Sequence, residues 1–191
     1  MTALISLMLA GAAAASGQAC SEIAIPLDEH RSDVCDERFT GQPVYSVTFA
    51  ASMTPRPALQ QVTVYRIQRQ WFVRVAGYRW VRGGAFSTRR NDIAISASDA
   101  KTIEDRVSAS TIGRLADLPY YGSKSFICTD GSNLELAMAS DGRRYSAAQH
   151  SCAGVTEMSG IAKAFGELAL KYDPEFSGML DGLTGRTSAA D

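Results

Sequence analysis

Several short stretches of this sequence bring together side chains able to do chemistry. Ser98-Asp99-Ala100-Lys101 sets a hydroxyl one helical turn from an amine, the letters of the Ser-x-x-Lys pair of penicillin-recognising enzymes. That chemistry also needs Ser-Asp-Asn and Lys-Thr-Gly partners, which the chain lacks, and a capped helix start explains the same residues. His150-Ser151-Cys152 puts a base beside two nucleophile-bearing side chains. Triads assemble in space, however, and no Gly-x-Ser-x-Gly elbow occurs, so no catalytic residue is assigned. Gln149 and His150 are the pair expected at any polar site. Asp130-Gly131-Ser132-Asn133-Leu134-Glu135 gathers oxygen ligands as a calcium loop does, but it lacks the EF-hand pattern. A tight turn entering a strand accounts for it.

The cysteines are Cys20, Cys35, Cys128 and Cys152, with no Cys-x-x-Cys among them and only His30 and His150 as further nitrogen ligands. A metal centre and a bound cofactor are therefore not expected. Disulfides are. Several pairings are open, and nearest-neighbour pairing, Cys20–Cys35 and Cys128–Cys152, is the expectation. The first bridge would pin an N-terminal arm, and the second would staple a hairpin to the start of a helix.

Binding chemistry is suggested by the arginines. From Glu37 to Asp92 the chain holds no acid between these two, yet it carries Arg38, Arg56, Arg66, Arg69, Arg74, Arg79, Arg82, Arg89 and Arg90. Tyr65, Trp71, Phe72, Tyr78, Trp80 and Phe86 are interleaved with them, a composition suited to stacking and charge on a polyanion. In one strand register Phe72, Arg74, Tyr78, Trp80 and Arg82 share a face, a count that a turn at Gly77 would break. Arg74, Arg79, Trp80, Arg82 and His150 are the candidate binding residues. The competing expectation is a solvated sheet face whose arginines pair with acids of the N-terminal arm and helices.

The formal net charge of −1 predicts no bulk electrostatic partner. DNA is not expected. An anionic envelope component, or another exported protein, is the expected class of partner. Export is read from the uncharged apolar run Ala3 to Ala15, which closes in Ser16-Gly17-Gln18-Ala19 before Cys20. The run is too short to cross a bilayer, so no transmembrane helix is expected in the mature chain, and the location is periplasmic or secreted. Cleavage after Ala19 or after Ala15 satisfies the small-residue rule. Acylation of Cys20, as in a lipoprotein, is the minor alternative; Gly17-Gln18-Ala19 lacks the large apolar residue such a motif carries, and three thiols would remain.

These residues must be positioned by an α+β fold. The expected layout is a signal peptide over 1–19, an acidic irregular arm over 20–42, one domain over 43–176 and a flexible tail over 177–191. Strands are read at Val44–Phe49, Val62–Ile67, Trp71–Val75, Tyr78–Arg82 and Ile93–Ile95, a meander whose connections are too short for parallel crossovers. Ser98 or Asp99 caps a helix from about Ala100 to Val107, and Thr111–Leu115 adds a turn or two. Asp130-Gly131 and Asp141-Gly142 flank Leu134–Met138, with a return strand from Arg143 to Ala148. Met158, Ile161, Phe165, Leu168 and Tyr172 form one face of a last helix, which Pro174 ends. The helices are expected on one face of a disulfide-stapled antiparallel sheet.

From Ile127 to Tyr172 the chain resembles uncharacterised exported proteins of Gram-negative bacteria. The resemblance rests on Cys128-Thr129-Asp130-Gly131, Leu134-Glu135-Leu136, Gly142-Arg143-Arg144-Tyr145, Gln149-His150-Ser151-Cys152 and the helix with Ala164-Phe165 and Leu168. It implies export and a disulfide near Cys152, and no activity. The expected function is an exported binding, interaction or envelope-associated module without catalysis. The alternative is a small hydrolase with its site near His150.

Overall fold

A computed structural model of the protein describes residues 17–24, 32–39, 41–51, 59–80, 86–122 and 131–175, with the side chains of 78–80 and 86–89 left aside. The expected signal run, Cys128, Arg82 and the C-terminal tail lie outside these residues. Among the described residues the strands are β1 (Gln18–Ala19), β2 (Val44–Ala51), β3 (Leu59–Ile67), β4 (Gln70–Trp80), β5 (Phe86–Ile95), β6 (Ser132–Ser140) and β7 (Arg143–His150). They form one seven-stranded sheet in the order β1-β7-β6-β2-β3-β4-β5, antiparallel throughout. The helices are α1 (Ala97–Glu104), α2 (Ala109–Ala116) and α3 (Glu157–Tyr172).

Three local expectations are corrected. Trp71–Val75 and Tyr78–Trp80 are not in separate strands but belong to β4, which runs through Gly77 without a turn; Val81 and Arg82 of the expected fourth strand lie outside the described residues. Gly77 has φ 143°, and a Cβ there would lie 2.0 Å from the Leu59 carbonyl oxygen, so the glycine lets β3 approach closely. The short strand at Ile93–Ile95 is the end of a longer one, β5. Its polar start hides it in the sequence, and at the sheet edge the ladder to β4 holds it without an apolar face. The cap of α1 is Ser96, whose Oγ accepts from the Asp99 amide at 3.1 Å, so the helix begins at Ala97.

The Asp141-Gly142 turn closes the β6–β7 hairpin with φ of 52° and 71° at its two residues, the mirror-image turn that matches strand twist. Thr156 caps α3 reciprocally with Ser159: its Oγ accepts from the Ser159 amide at 3.2 Å while its own amide donates to Ser159 Oγ at 2.9 Å.

Two clusters of buried apolar residues hold the molecule. The larger joins Tyr45, Val47, Val62, Val64, Val73, Val75, Leu136 and Met138 of the sheet to Ile103 of α1, Ile112 and Leu115 of α2, and Met158, Ile161, Phe165 and Leu168 of α3. The smaller joins Val44, Tyr65, Ala137 and Ala139 to Val34 and Phe39 of the N-terminal arm, with the half-buried Cys20 and Cys35 against it. Strand alternation separates the two sets. Val47 stands opposite Val62 and Leu136, whereas Val44 stands opposite Tyr65 and Ala139. The arm is thus docked on the sheet. Cys20 and Cys35 are disulfide-bonded, as the nearest-neighbour reading expected.

Candidate functional site

The arginine surface is built on the same side as the arm. Ser46, Thr63, Arg74 and Asp92 stand opposite one another in successive strands, from β2 to β5. Ser46, Thr63 and Arg74 are buried and need partners, and each has one. Ser46 Oγ and Thr63 Oγ1 are 3.1 Å apart. Arg74 Nε donates to Asp92 Oδ1 at 2.6 Å, and its NH1 donates to Ser32 Oγ of the arm at 3.0 Å. The guanidinium also lies 5.4 Å from the ring centres of both Phe39 and Tyr65. Next to it Gln61 clamps the arm: its Oε1 accepts from the Ser32 amide at 2.7 Å and its Nε2 donates to the Ser32 carbonyl at 2.9 Å.

Arg74 is therefore a buried structural cation, 5% exposed. Around it lie two cations open to solvent. Arg38 forks onto Asp36, with contacts of 2.8 and 2.5 Å, and Arg90 Nε lies 3.9 Å from Asp92 Oδ2. Burial pushes the Arg90 guanidinium down from its ordinary value, and the positive charges of Arg74 and Arg38 push it further. Burial would raise the Asp92 carboxyl, but hydrogen bonds from Arg74 and from the Tyr65 hydroxyl outweigh it and hold the group below the carboxylate range. The Tyr65 phenol is pushed up to about 12 by burial and by that bond to Asp92.

Of the candidate binding residues, Arg79 and Trp80 stand opposite Ser87 and Phe86 at the end of the β4–β5 ladder. Their side chains, and Arg82, lie outside the described residues. Sequence reasoning expected acids of the arm as partners, as Asp36 is for Arg38, but it missed Asp92, Ser32 and Phe39 around Arg74. Asp92 did leave a signal, since it is the first acid after the acid-free stretch.

His150 lies elsewhere, at the end of β7. Its amide donates to the Tyr120 carbonyl at 2.9 Å, and its Nδ1 accepts from the Cys152 amide at 3.3 Å. Its ring centre is 5.0 Å from that of Tyr121 and 5.7 Å from that of Tyr120. A Cβ on Gly131 would come within 2.3 Å of the imidazole, so glycine follows Asp130 because the ring occupies the space. Beside it is a cleft of about 160 Å³ lined by Phe49, Leu134, Gln149, Ser151, Ser159 and Ala162, among others. Gln149 Oε1 accepts from Thr156 Oγ1 at 2.5 Å, and Ser151 Oγ accepts from the Ser132 amide at 3.0 Å. Among the described residues no carboxylate hydrogen-bonds to His150, so no third group orients it as a triad base.

The other motifs are also engaged. Ser98 Oγ lies 2.9 Å from Ser96 Oγ and Lys101 Nζ donates to Asp105 at 2.7 Å, so the Ser-x-x-Lys letters make no pair. Asp99 instead joins two helices: it accepts from Lys171 Nζ at 2.8 Å and from the Tyr172 hydroxyl at 2.5 Å. Those bonds, Lys171 first, hold its carboxyl at about 2. In the Asp130–Glu135 stretch, Asn133 Oδ1 accepts from the Tyr120 hydroxyl at 3.1 Å and Glu135 accepts from Arg144 at 2.5 Å. Among the described residues no His, Cys, Asp and Glu cluster could hold a metal ion, and no helix is long and apolar enough to cross a membrane. Cys152 is disulfide-bonded; the Cys128–Cys152 pairing falls outside the described residues.

Fold and site together define an α+β protein with a disulfide-bearing arm on a seven-stranded antiparallel sheet. No family model matches the sequence, and no curated protein matches it.

Proposed function

We propose that the chain is an exported module that binds an anionic partner without catalysis, its helices covering one face of the sheet and its arm the other. The observation that carries this reading is the crowding of Arg38, Arg74 and Arg90 around Asp36 and Asp92. Guanidiniums outnumber carboxylates in this cluster, and the outer two are 49% and 37% exposed at their side chains. Such a surplus attracts phosphate or sulfate, for which a planar guanidinium is well shaped. Export is supported by the apolar run Ala3 to Ala15 and by the Cys20–Cys35 bridge, since disulfides persist in oxidising compartments.

The hydrolase reading has less behind it, because Nδ1 of His150 is already bonded to backbone. Heparin chromatography tests the binding reading. The parent is expected to need salt for elution, and the Arg38→Ser, Arg90→Ser double variant to elute earlier, its log affinity against log salt flattened by about two. Elution of the parent at low salt, unchanged in the variant, would overturn it.

A further inference from the structure

We infer that the export signal is cut after Ala15, so that the mature chain begins at Ser16 and keeps β1. The inference rests on the reading of the chain as exported, and it decides between two cuts that the sequence leaves equal. Gly17 and Ala19 satisfy the small-residue rule for one cut, and Ala13 and Ala15 satisfy it for the other.

Residues 17–20 belong to the fold. Gln18 and Ala19 pair with Arg144 and Arg143, and the Cys20 amide donates to the Gly142 carbonyl at 2.8 Å. The Arg143 guanidinium donates to the Gly17 carbonyl. Gly17 is buried against Tyr145, where a Cβ would lie 2.6 Å from the ring. A cut after Ala19 would delete all of this. It would strip the start of β7 of its neighbour, uncover Tyr145 and leave Arg143 without that acceptor.

Cleavage after Ala15 costs the fold none of these contacts. Water adds across the Ala15–Ser16 amide, the C–N bond breaks, and a carboxylate stays on Ala15 while Ser16 takes the proton as an ammonium. Of the three residues before the other cut, Gln18 and Ala19 are strand residues paired with β7. Cys20 is also taken: its sulfur is bonded to Cys35, so no thiol is left for a lipid thioether.

The test is N-terminal sequencing and intact mass, under non-reducing conditions, of the full chain expressed in a Gram-negative host and recovered from the periplasm and medium. The expected N-terminus is Ser16, with no lipid mass. Ala15→Leu should abolish that terminus, while Ala19→Leu should leave it in place. A terminus at Cys20, free or acylated, overturns the inference and leaves the export reading standing. An uncut chain confined to the cytoplasm overturns both.

Discussion

The sheet positions in the larger apolar cluster and those facing the arm are both buried, yet the second set adds polar groups to its apolar ones. In the cluster shared with residues of α1, α2 and α3 the strands place Val47, Val62, Val64, Val73, Val75 and Leu136, every one of them 0% exposed. Toward the arm the neighbouring positions present Ser46, Thr48, Gln61, Thr63 and Arg74, between 1% and 7% exposed. The aliphatic face can be covered by any helix with an apolar stripe, because burial there is non-directional. The polar face cannot. Each group removed from water needs a partner at a fixed distance, so the cover must be a particular segment, with Ser32 against Gln61 and Arg74. The difference teaches that one face specifies stability and the other specifies which piece of chain docks.

The sharpest way to break that contrast is to hollow the helix side. Phe165 is 0% exposed at the centre of the larger cluster, and Phe165→Ala should cost about 3–5 kcal/mol in urea unfolding. A loss under about 1 kcal/mol would mean that the two faces are not differently packed.

On the arm side the largest expected effect comes from the bridge. Cys20 and Cys35 are 15 residues apart, so replacing both with Ser should cost about 3 kcal/mol. The loss should fall on the arm: hydrogen exchange should rise at Ser32 to Phe39 before it rises in α3. Uniform loosening would show that the arm is no separate layer.

A smaller effect separates directional from non-directional burial. Asp92→Asn leaves the buried Arg74 without its charged partner, and since Asp92 is itself 36% exposed the cost should be about 2 kcal/mol. The folded carboxyl sits below its ordinary value, so its contribution is complete above the unfolded value of about 4 and fades as pH falls below it. The variant should therefore lose part of the acid-range slope of stability, with Phe165→Ala keeping it.

Much of the fold was legible. Period-two runs such as Val62-Thr63-Val64-Tyr65 announced strands, and the spacing Met158, Ile161, Phe165, Leu168 announced α3, because a half-buried element repeats its apolar residues at its own period. Phe86–Ile95 was mostly not legible, since an edge strand drawn into register by β4 needs no apolar pattern of its own. At the candidate site the arginines were visible as types, but their roles were not. Arg74 and Arg90 stand alike in the sequence, and only depth separates the buried cation from the exposed one.

By itself the sequence determined the elements with strong periodicity, the hairpin turn at Asp141-Gly142 and a set of cysteines suited to bridges, because these depend on near neighbours or on composition. Only the tertiary structure decided that Asp92, the acid that ends the arginine-rich stretch, returns from the next strand to Arg74, and that Ser32 of the arm meets the same guanidinium. It alone decided that Gln18 and Ala19 are part of the sheet. The reason is physical: a charge or an edge is satisfied by whatever lies beside it in space, and that neighbour is chosen by the whole packing.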